Sequence, residues 1–188
     1  LSLHDALPIL TTRHGGYSEG AYASFNCSPF SGDELERVEK NQTLLFQSLS
    51  QAPRHLIIPF QTHGTKILPV DEKFLGVSGQ QQQEMLNGID ALITTEPGCC
   101  ICISTADCIP VLLYDRVHHA VAAVHAGWRG TVEYIVGHTL EKMRAVFGTE
   151  GQDVIACIGP GISLQSFEVG DEVYEAFRLN EIGRASCR

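Results

Sequence analysis

The feature that most constrains the fold is a nearly unbroken apolar region between residues 99 and 124. It contains three runs, at residues 99–103, 111–114 and 120–124, separated by short polar segments. Apolar runs without polar alternation are typical of strands that are covered on both faces. The region therefore predicts the central strands of a sheet in the interior of a domain.

Helical periodicity flanks this region on both sides. One helix is predicted over residues 33–50, with Asp33 as its cap, and a second over residues 131–147, ended by Gly148. The four glutamines at 80–83 are interpreted as a solvated insertion. Because strands outnumber helices and do not alternate regularly with them, the sequence predicts an α+β fold, a single layered domain of mixed β-sheets flanked by helices. Its further elements are strands over residues 56–58, 66–70, 89–94 and 154–158 and a last helix that begins near residue 170.

The two ends of the chain are set aside in this interpretation. Residues 1–9 match the translation of a common sequencing adapter, and residues 181–188 match the translation of its reverse complement. Both are treated as sequence unrelated to the fold. The predicted domain is therefore residues 10–180, and we expect it to be truncated at its C-terminal end.

Charge and cysteine content exclude several classes of protein. The net charge of −9 is opposite in sign to that of a typical nucleic-acid-binding surface, so this class is not expected. No apolar stretch approaches the roughly 18 residues that a membrane span needs. The seven cysteines lack the regular spacing of a secreted disulfide scaffold. We therefore expect a cytoplasmic protein, although the sequence leaves its oligomeric state open.

Reactive side chains occur where predicted strands begin or end. His63 lies between two strands, Cys108 precedes the strand at 111–114, and His125 follows the strand at 120–124. Imidazole nitrogen and thiolate sulfur are the ligands that zinc prefers, and three protein ligands leave one position open. The alternative is two structural histidines and a buried thiol. Cys99, Cys100 and Cys102 are interpreted as thiols packed within a strand.

Two arginines beside glycines suggest an anionic ligand. Arg13 precedes Gly15-Gly16, and Arg129 stands between Trp128 and Gly130 at a predicted helix start. Guanidinium groups bind phosphate or carboxylate through paired hydrogen bonds, and a helix N-terminus adds free N–H groups. An ordinary ion pair with one of the many acidic residues is the alternative.

Seven motifs in the right order resemble the laccase-domain family, also called the YfiH-like or multicopper polyphenol oxidase family, whose members are viewed as purine nucleoside phosphorylases. The resemblance covers nearly all of residues 10–170. The motifs are Thr12-Arg13-His14-Gly15-Gly16-Tyr17-Ser18, Gln61-Thr62-His63-Gly64, Asp90-Ala91-Leu92-Ile93-Thr94, Ala106-Asp107-Cys108-Ile109-Pro110-Val111-Leu112, His125-Ala126-Gly127-Trp128-Arg129-Gly130, Ile158-Gly159-Pro160 and Phe167-Glu168-Val169-Gly170.

The resemblance implies a zinc site at His63, Cys108 and His125, with copper as another possible metal. It implies phosphorolysis of adenosine, inosine and 5′-methylthioadenosine with phosphate, together with adenosine deamination. The three ligands and Asp107 are the expected catalytic residues, where Asp107 either supports the reaction itself or orients a ligating histidine. The expected substrate-binding residues are Arg13, Asn41, Gln61, Arg129 and Glu168.

Three other functions remain open from the sequence. Seven histidines outside the adapter-like ends, with no His-x-His pattern, are too few for a multicopper centre, so only weak metal-dependent polyphenol oxidation is expected. A Cys-His hydrolase or amidase, such as a peptidoglycan-editing enzyme, would use Cys108 as its nucleophile. A zinc-stabilised binding domain would have no catalytic activity. The signature of nucleobase zinc deaminases is missing, so any deamination would use a different scaffold.

Overall fold

The computed structural model describes residues 8–180, so residues 1–7 of the adapter-like N-terminal segment and the whole segment 181–188 lie outside the described residues. Its strands are β1 (His55–Ile57), β2 (Ile67–Pro69), β3 (Ala91–Thr94), β4 (Cys99–Ile101), β5 (Ile109–Asp115), β6 (Ala120–Ala126) and β7 (Val154–Ile158). Its helices are α1 (Leu35–Ser48), α2 (Glu72–Gly76), α3 (Gly79–Met85), α4 (Trp128–Val132), α5 (Ile135–Phe147) and α6 (Asp171–Leu179).

Two sheets confirm the predicted α+β class. The larger has the order β2-β3-β6-β5-β7, in which β2 and β3 run parallel and the other neighbours antiparallel. The smaller is a parallel pair of β1 and β4. The prediction of central covered strands is confirmed for β5 and β6, which are interior strands of the large sheet, and six of the seven residues of β6 are buried. It is wrong for residues 99–103, because their strand β4 is only partly buried and pairs with β1 in the smaller sheet.

Two hydrophobic cores hold these layers together. One lies between the large sheet and α5, where Ile135 and Met143 of the helix pack on Ile93 and Val124 of the strands. The other joins the small sheet to the neighbouring helices through Ile57, Phe74, Leu86 and Leu92. Burial of apolar side chains of this size contributes about 1.5–3 kcal/mol each. The cores therefore fix the ends of β1, β4 and β6, from which the candidate site is built.

The helix predicted over residues 131–147 is interrupted in the structure. Tyr134 adopts a left-handed conformation, with a φ of 60°, and separates α4 from α5. Few non-glycine residues adopt this region, so the apolar periodicity gives no warning of the break. As predicted, Gly148 ends α5, with a φ of 78°.

Two smaller predictions also differ from the structure. The glutamine-rich segment is largely exposed, as predicted, but it forms the helix α3, in which Ser78 and Gln81 form a reciprocal capping box. Asp33 does not cap α1, which begins at Leu35, and instead accepts a hydrogen bond from the Glu34 N–H just ahead of the helix. Local side-chain hydrogen bonds thus mark the start of α3, whereas the N-cap residue of α1, Glu34, makes no side-chain capping hydrogen bond.

Candidate metal centre

The three predicted ligands come from loops or strand ends at one edge of the sheets. The parallel strands β1 and β4 lead into the segments that carry His63 and Cys108, and His125 is the penultimate residue of β6. Within the large sheet, β5 and β6 run antiparallel and Ile109 pairs with Ala126. Cys108, directly before β5, and Gly127, directly after β6, therefore lie beside each other at the same end of this strand pair. Strand pairing therefore brings together residues that are 45 and 17 positions apart in the sequence.

His63, Cys108 and His125 converge in the structure. One possible ligand atom of each residue lies within 4.8 Å of those of the other two. The two imidazole rings are 4.8 Å apart between centroids and inclined by 73°. His125 is buried, Cys108 is partly buried and His63 is exposed, so the group opens to solvent on the His63 side.

Gly127 provides the space between these side chains. A Cβ atom added to it would lie 2.9 Å from His63 Cδ2, 3.2 Å from Cys108 Sγ and 3.7 Å from His125 Cε1. The missing side chain thus leaves a small cradle bordered by all three candidate ligands. In a tetrahedral zinc site with metal–ligand distances of about 2.0–2.3 Å, the ligand atoms lie about 3.3–3.7 Å apart. A contraction of about 1 Å, for which the exposed His63 side chain has freedom, would therefore fit the residues to zinc.

A buried carboxylate orients two of the ligands. The Asp90 side chain has no exposed surface, and its Oδ1 accepts a hydrogen bond from His125 Nδ1 at 2.8 Å. This leaves His125 Nε2 free to serve as a ligand atom. The same carboxylate accepts hydrogen bonds from the backbone N–H groups of Thr62, His63 and Gly64 at 3.2, 2.9 and 2.8 Å.

These contacts hold the His63 loop in an unusual backbone conformation. His63 has a φ of 61°, which is uncommon for a non-glycine residue. Burial acts to raise the pKa of Asp90, but hydrogen bonds from His125, Gly64 and Thr62 outweigh it and lower that pKa overall. Asp90 therefore stays ionised and binds both ligand-bearing segments.

Gln61 connects the His63 loop to the segment before Cys108. Its Nε2 donates to the Ser104 carbonyl oxygen at 2.8 Å, and its Oε1 accepts from the Ser104 N–H at 2.7 Å. The side chain thus forms two hydrogen bonds with the backbone of a single residue, Ser104. In the described chain, the predicted substrate-binding residue Gln61 is engaged in this contact between two loops.

Asn41 likewise fixes a loop, the glycine-rich one near the start of the described chain. Its side chain is fully buried in α1. Its Oδ1 accepts from the Tyr17 N–H at 2.7 Å, and its Nδ2 donates to Ser18 Oγ at 2.9 Å and to the Asn26 carbonyl oxygen at 2.8 Å. The hydrogen bonds of Asn41 therefore fix the glycine-rich loop that follows Arg13.

The remaining predicted residues are exposed. Arg129 lies two residues after Gly127, with its guanidinium carbon 4.3 Å from the centroid of the Trp128 ring. Within residues 8–180, neither Arg129 nor Arg13 takes part in an ion pair, unlike Arg37, Arg144 and Arg178. The carboxylate bound to His125 is that of Asp90, whereas Asp107 is exposed directly before Cys108 and its backbone carbonyl accepts from the Ile162 N–H.

Glu168 and the cavities lie outside the three-residue group. Glu168 is exposed, in the segment between β7 and α6.

A cavity of about 390 Å³ lies beside α3 and is lined by Phe30, Phe60, Gln80, Gln83, Glu84 and Asn87, none of which is a predicted site residue.

Asp90 is the residue whose role the sequence reasoning missed. It stands inside a recognised motif but received no function, because its partners lie 26–35 residues away. The signal available in the sequence was a charged residue inside a predicted apolar strand, Asp90 directly before Ala91-Leu92-Ile93-Thr94. Buried carboxylates occur almost only with hydrogen-bond or charge partners.

The comparisons with known proteins agree with this architecture. The sequence profile of the multi-copper polyphenol oxidoreductase laccase family matches residues 8–187. The chain belongs to this family.

Its relatives include named enzymes. A purine nucleoside phosphorylase from Bacteroides thetaiotaomicron is 65% identical over 182 residues, which are 96% of this chain and 67% of the relative. Adenosine deaminase RL5, from an unknown prokaryotic organism, is 38% identical over 92% of this chain and 67% of its own length.

Solved structures show the same fold. The hypothetical protein YfiH of Bacillus licheniformis superposes with a TM-score of 0.81 at 28% identity, over 92% of this chain and 64% of that one. YlmD of Geobacillus stearothermophilus gives 0.79 at 31% identity, over 90% and 63%. The chain spans about two thirds of the length of these relatives.

Proposed function

We propose that this chain carries the zinc site of a purine nucleoside phosphorylase that uses phosphate to cleave adenosine, inosine and 5′-methylthioadenosine and also deaminates adenosine. The observation that carries the proposal is the convergence of His63, Cys108 and His125 around Gly127, with Asp90 behind them. The name of the relative that is 65% identical supports the choice of reaction.

Zinc is the metal that suits this donor set best. Two imidazoles and one thiolate match its preference for nitrogen and sulfur, and a fourth position stays open for substrate or water. Copper also accepts histidine and cysteine ligands, so it is the competing ion. Bound at this place, zinc supplies a Lewis acid next to the substrate.

The chain's own residues would meet the charges that develop in phosphorolysis. Cleavage of the N-glycosidic bond places positive charge on the ribose and negative charge on the leaving purine. Arg13 and Arg129, which form no ion pair among the described residues, are proposed to bind phosphate. The carboxylates of Asp107 and Glu168 are proposed to support the ribose or to move a proton. Gln61 and Asn41 are proposed to act by shaping the loops around the substrate.

A Cys-His hydrolase is the second candidate. The Asp90–His125 contact resembles the carboxylate–imidazole pair that orients the base in nucleophilic catalysis. However, burial raises the pKa of the Cys108 thiol, and the negative charges of Asp107 and Asp90 add to this effect. A thiol with a raised pKa is a poor nucleophile at neutral pH, whereas metal coordination favours the thiolate.

Product analysis with adenosine and phosphate tests the proposal. Zinc-loaded protein, both the 188-residue chain and a version extended to the length of its relatives, is incubated with adenosine with and without phosphate. We expect adenine and ribose 1-phosphate only with phosphate. Inosine should form in either case, and phosphate should convert part of it to hypoxanthine. The Cys108→Ser variant should lose both activities, and the Cys157→Ser variant, changed at an exposed cysteine of β7, serves as the control. Absence of adenine and inosine from both zinc-loaded proteins would contradict the proposal.

A cytoplasmic location is part of the proposal. The six described cysteines are free thiols, which a reducing cytoplasm would maintain. No helix in the described part of the chain is both long and apolar enough to cross a membrane. The proposed partners are small molecules, a purine nucleoside and phosphate.

A further inference from the structure

Two cysteines outside the candidate metal centre lie on the same side of β4. Cys99 and Ile101 pack against the hydrophobic core that contains Ile57 and Phe74. Because successive side chains of a strand point to opposite faces, Cys100 and Cys102 project away from that core. Cys102 is the first residue after the last paired residue of β4.

The two thiols are in contact. Cys100 Sγ and Cys102 Sγ are 3.5 Å apart, the distance of a thiol–thiol hydrogen bond. A rise of about 3.3 Å per residue separates their Cα atoms by about 6.6 Å. This separation is near the upper limit of about 6.8 Å that a disulfide spans. Bond formation therefore needs a modest bend of the chain at the end of β4.

We propose that Cys100 and Cys102 form a site of reversible covalent modification that reacts with low-molecular-weight disulfides such as glutathione disulfide. The Cys100 thiolate attacks one sulfur of the reagent, so a mixed disulfide forms and the first glutathione leaves as thiolate. The Cys102 thiolate then attacks the Cys100 sulfur and releases the second glutathione. Two protein thiols are oxidised to one disulfide, one reagent disulfide is reduced to two thiols, and the two protons pass to the released thiolates.

The surroundings of Cys100 and Cys102 give the two thiols different roles in the disulfide exchange. A hydrogen bond from Cys102 stabilises the Cys100 thiolate and lowers the pKa of Cys100, although burial opposes this. The same hydrogen bond, with burial, raises the pKa of Cys102. Burial raises the pKa of the neighbouring Cys27 thiol to about 11. The geometry points the same way, because Cys102 Sγ also lies within donating distance, 3.9 Å, of the Cys100 carbonyl oxygen. Cys100 is therefore the attacking group and Cys102 the resolving group, whereas Cys27 stays a thiol.

Formation of the Cys100–Cys102 disulfide would weaken a backbone hydrogen bond between β4 and β1. The Cys102 N–H donates to the Ile57 carbonyl oxygen at 2.9 Å, just beyond the β1–β4 pairing. A bend at Cys102 would lengthen this hydrogen bond. A disulfide closed against such a constraint is readily reduced, as expected of a reversible modification rather than a structural one.

Mass spectrometry on the full chain tests the proposal directly. The protein is equilibrated with glutathione mixtures of increasing oxidised fraction, quenched with acid, alkylated and digested. We expect a peptide that has lost two hydrogens and links Cys100 to Cys102, formed before the exposed Cys157 is glutathionylated and reversed by reduced glutathione. Complete alkylation of both thiols under conditions that glutathionylate Cys157 would overturn the proposal, as would a linkage of either thiol to Cys27.

Two variants test the assigned roles. Cys102→Ser should accumulate glutathione on Cys100, because nothing resolves the mixed disulfide, whereas Cys100→Ser should not. Cys99→Ser is the matched control on the opposite face and should leave the disulfide unchanged. Equal glutathionylation of the first two variants would overturn the assignment of attacking and resolving thiols.

Amide hydrogen exchange on the wild-type protein provides a measurement that needs no substitution. In the oxidised protein the Cys102 amide should exchange about three- to tenfold faster, the effect of one weakened hydrogen bond. The His125 amide, which donates to the Asp90 carbonyl oxygen, is the internal control. Unchanged exchange at Cys102 would contradict the proposed bend.

Discussion

The Asp90 carboxylate holds the His125 ring by a hydrogen bond of 2.8 Å to Nδ1 and also binds three successive backbone N–H groups around His63. One buried side chain therefore determines both the ring orientation of one candidate ligand and the backbone path of another. This arrangement matches the carboxylate–histidine pairs that orient the ligands of zinc sites.

Replacing this carboxylate should weaken metal binding strongly. In Asp90→Asn, one side-chain oxygen becomes an NH₂ group that cannot accept from the loop N–H groups. We expect a loss of about 10- to 100-fold in zinc affinity, measured by competition with a chromophoric chelator. Asp107→Asn is the control at an exposed carboxylate, and it should keep zinc even if turnover falls. Equal zinc affinities of Asp90→Asn and the wild type would contradict the role of Asp90.

The space beside Gly127 gives a second prediction. Gly127 has a φ of −70°, so alanine fits its backbone, but the added methyl group would lie 2.9 Å from His63 Cδ2 and 3.2 Å from Cys108 Sγ. Overpacking of this kind costs about 1–3 kcal/mol. Gly127→Ala should therefore bind zinc about tenfold more weakly or worse. Gly76→Ala, with nothing within 4 Å of the added Cβ, is the matched control. Wild-type affinity in Gly127→Ala would show that the cradle does not hold the metal.

The Gln61–Ser104 contact should affect metal affinity without touching the metal. Gln61→Ala removes two hydrogen bonds that each contribute about 0.5–1.5 kcal/mol. Without these hydrogen bonds the Cys108 segment has greater conformational freedom, and fixing it around the metal costs free energy. We therefore expect zinc affinity to fall about three- to tenfold. Alkylation of Cys108 in metal-free protein should also become faster. Gln47→Ala, at an exposed position of α1, should change neither quantity. Unaltered alkylation in Gln61→Ala would exclude the proposed coupling.

Apolar patterning predicted the central strands because β3, β5 and β6 are continuous apolar segments whose burial dominates their stability. It did not predict the break at Tyr134, since a left-handed tyrosine leaves no mark in the periodicity. Nor did it predict α3, where the Ser78–Gln81 capping box outweighs the polar composition.

For the site, residue chemistry at strand ends singled out His63, Cys108 and His125 as candidates, and the family resemblance favoured metal binding over a structural role for them. The structure brings the three side chains together. The roles of Asp90, Gln61 and Asn41 depend on hydrogen bonds between distant segments. A single sequence does not encode these pairings in any local spacing, so the structure was needed to find them.

The last prediction concerns acid stability and uses a carboxylate remote from the candidate metal centre. Asp115, at the end of β5, has a fully buried side chain that accepts hydrogen bonds from the backbone N–H groups of Val117 and His118 and from the His118 ring. Burial acts to raise its pKa, but the nearby Thr149 hydroxyl and the hydrogen bonds from His118 and Val117 outweigh it and lower the pKa from 3.8 to about 2.

A lowered pKa in the folded state means that the unfolded chain binds the proton more readily. The stabilisation by Asp115 is therefore fully present above the unfolded pKa of 3.8 and is lost as the pH falls through about 2. Urea unfolding of metal-free protein at a series of pH values from 5 to about 2 measures this loss as a falling free energy of unfolding. Asp115→Asn should be less stable at pH 5 and show a shallower decline over the same window. Asp71→Asn, at an exposed helix cap, is the control, because its carboxylate has a single backbone partner, Phe74. If wild type and Asp115→Asn decline in parallel between pH 4 and pH 2, Asp115 does not account for the acid sensitivity of the fold.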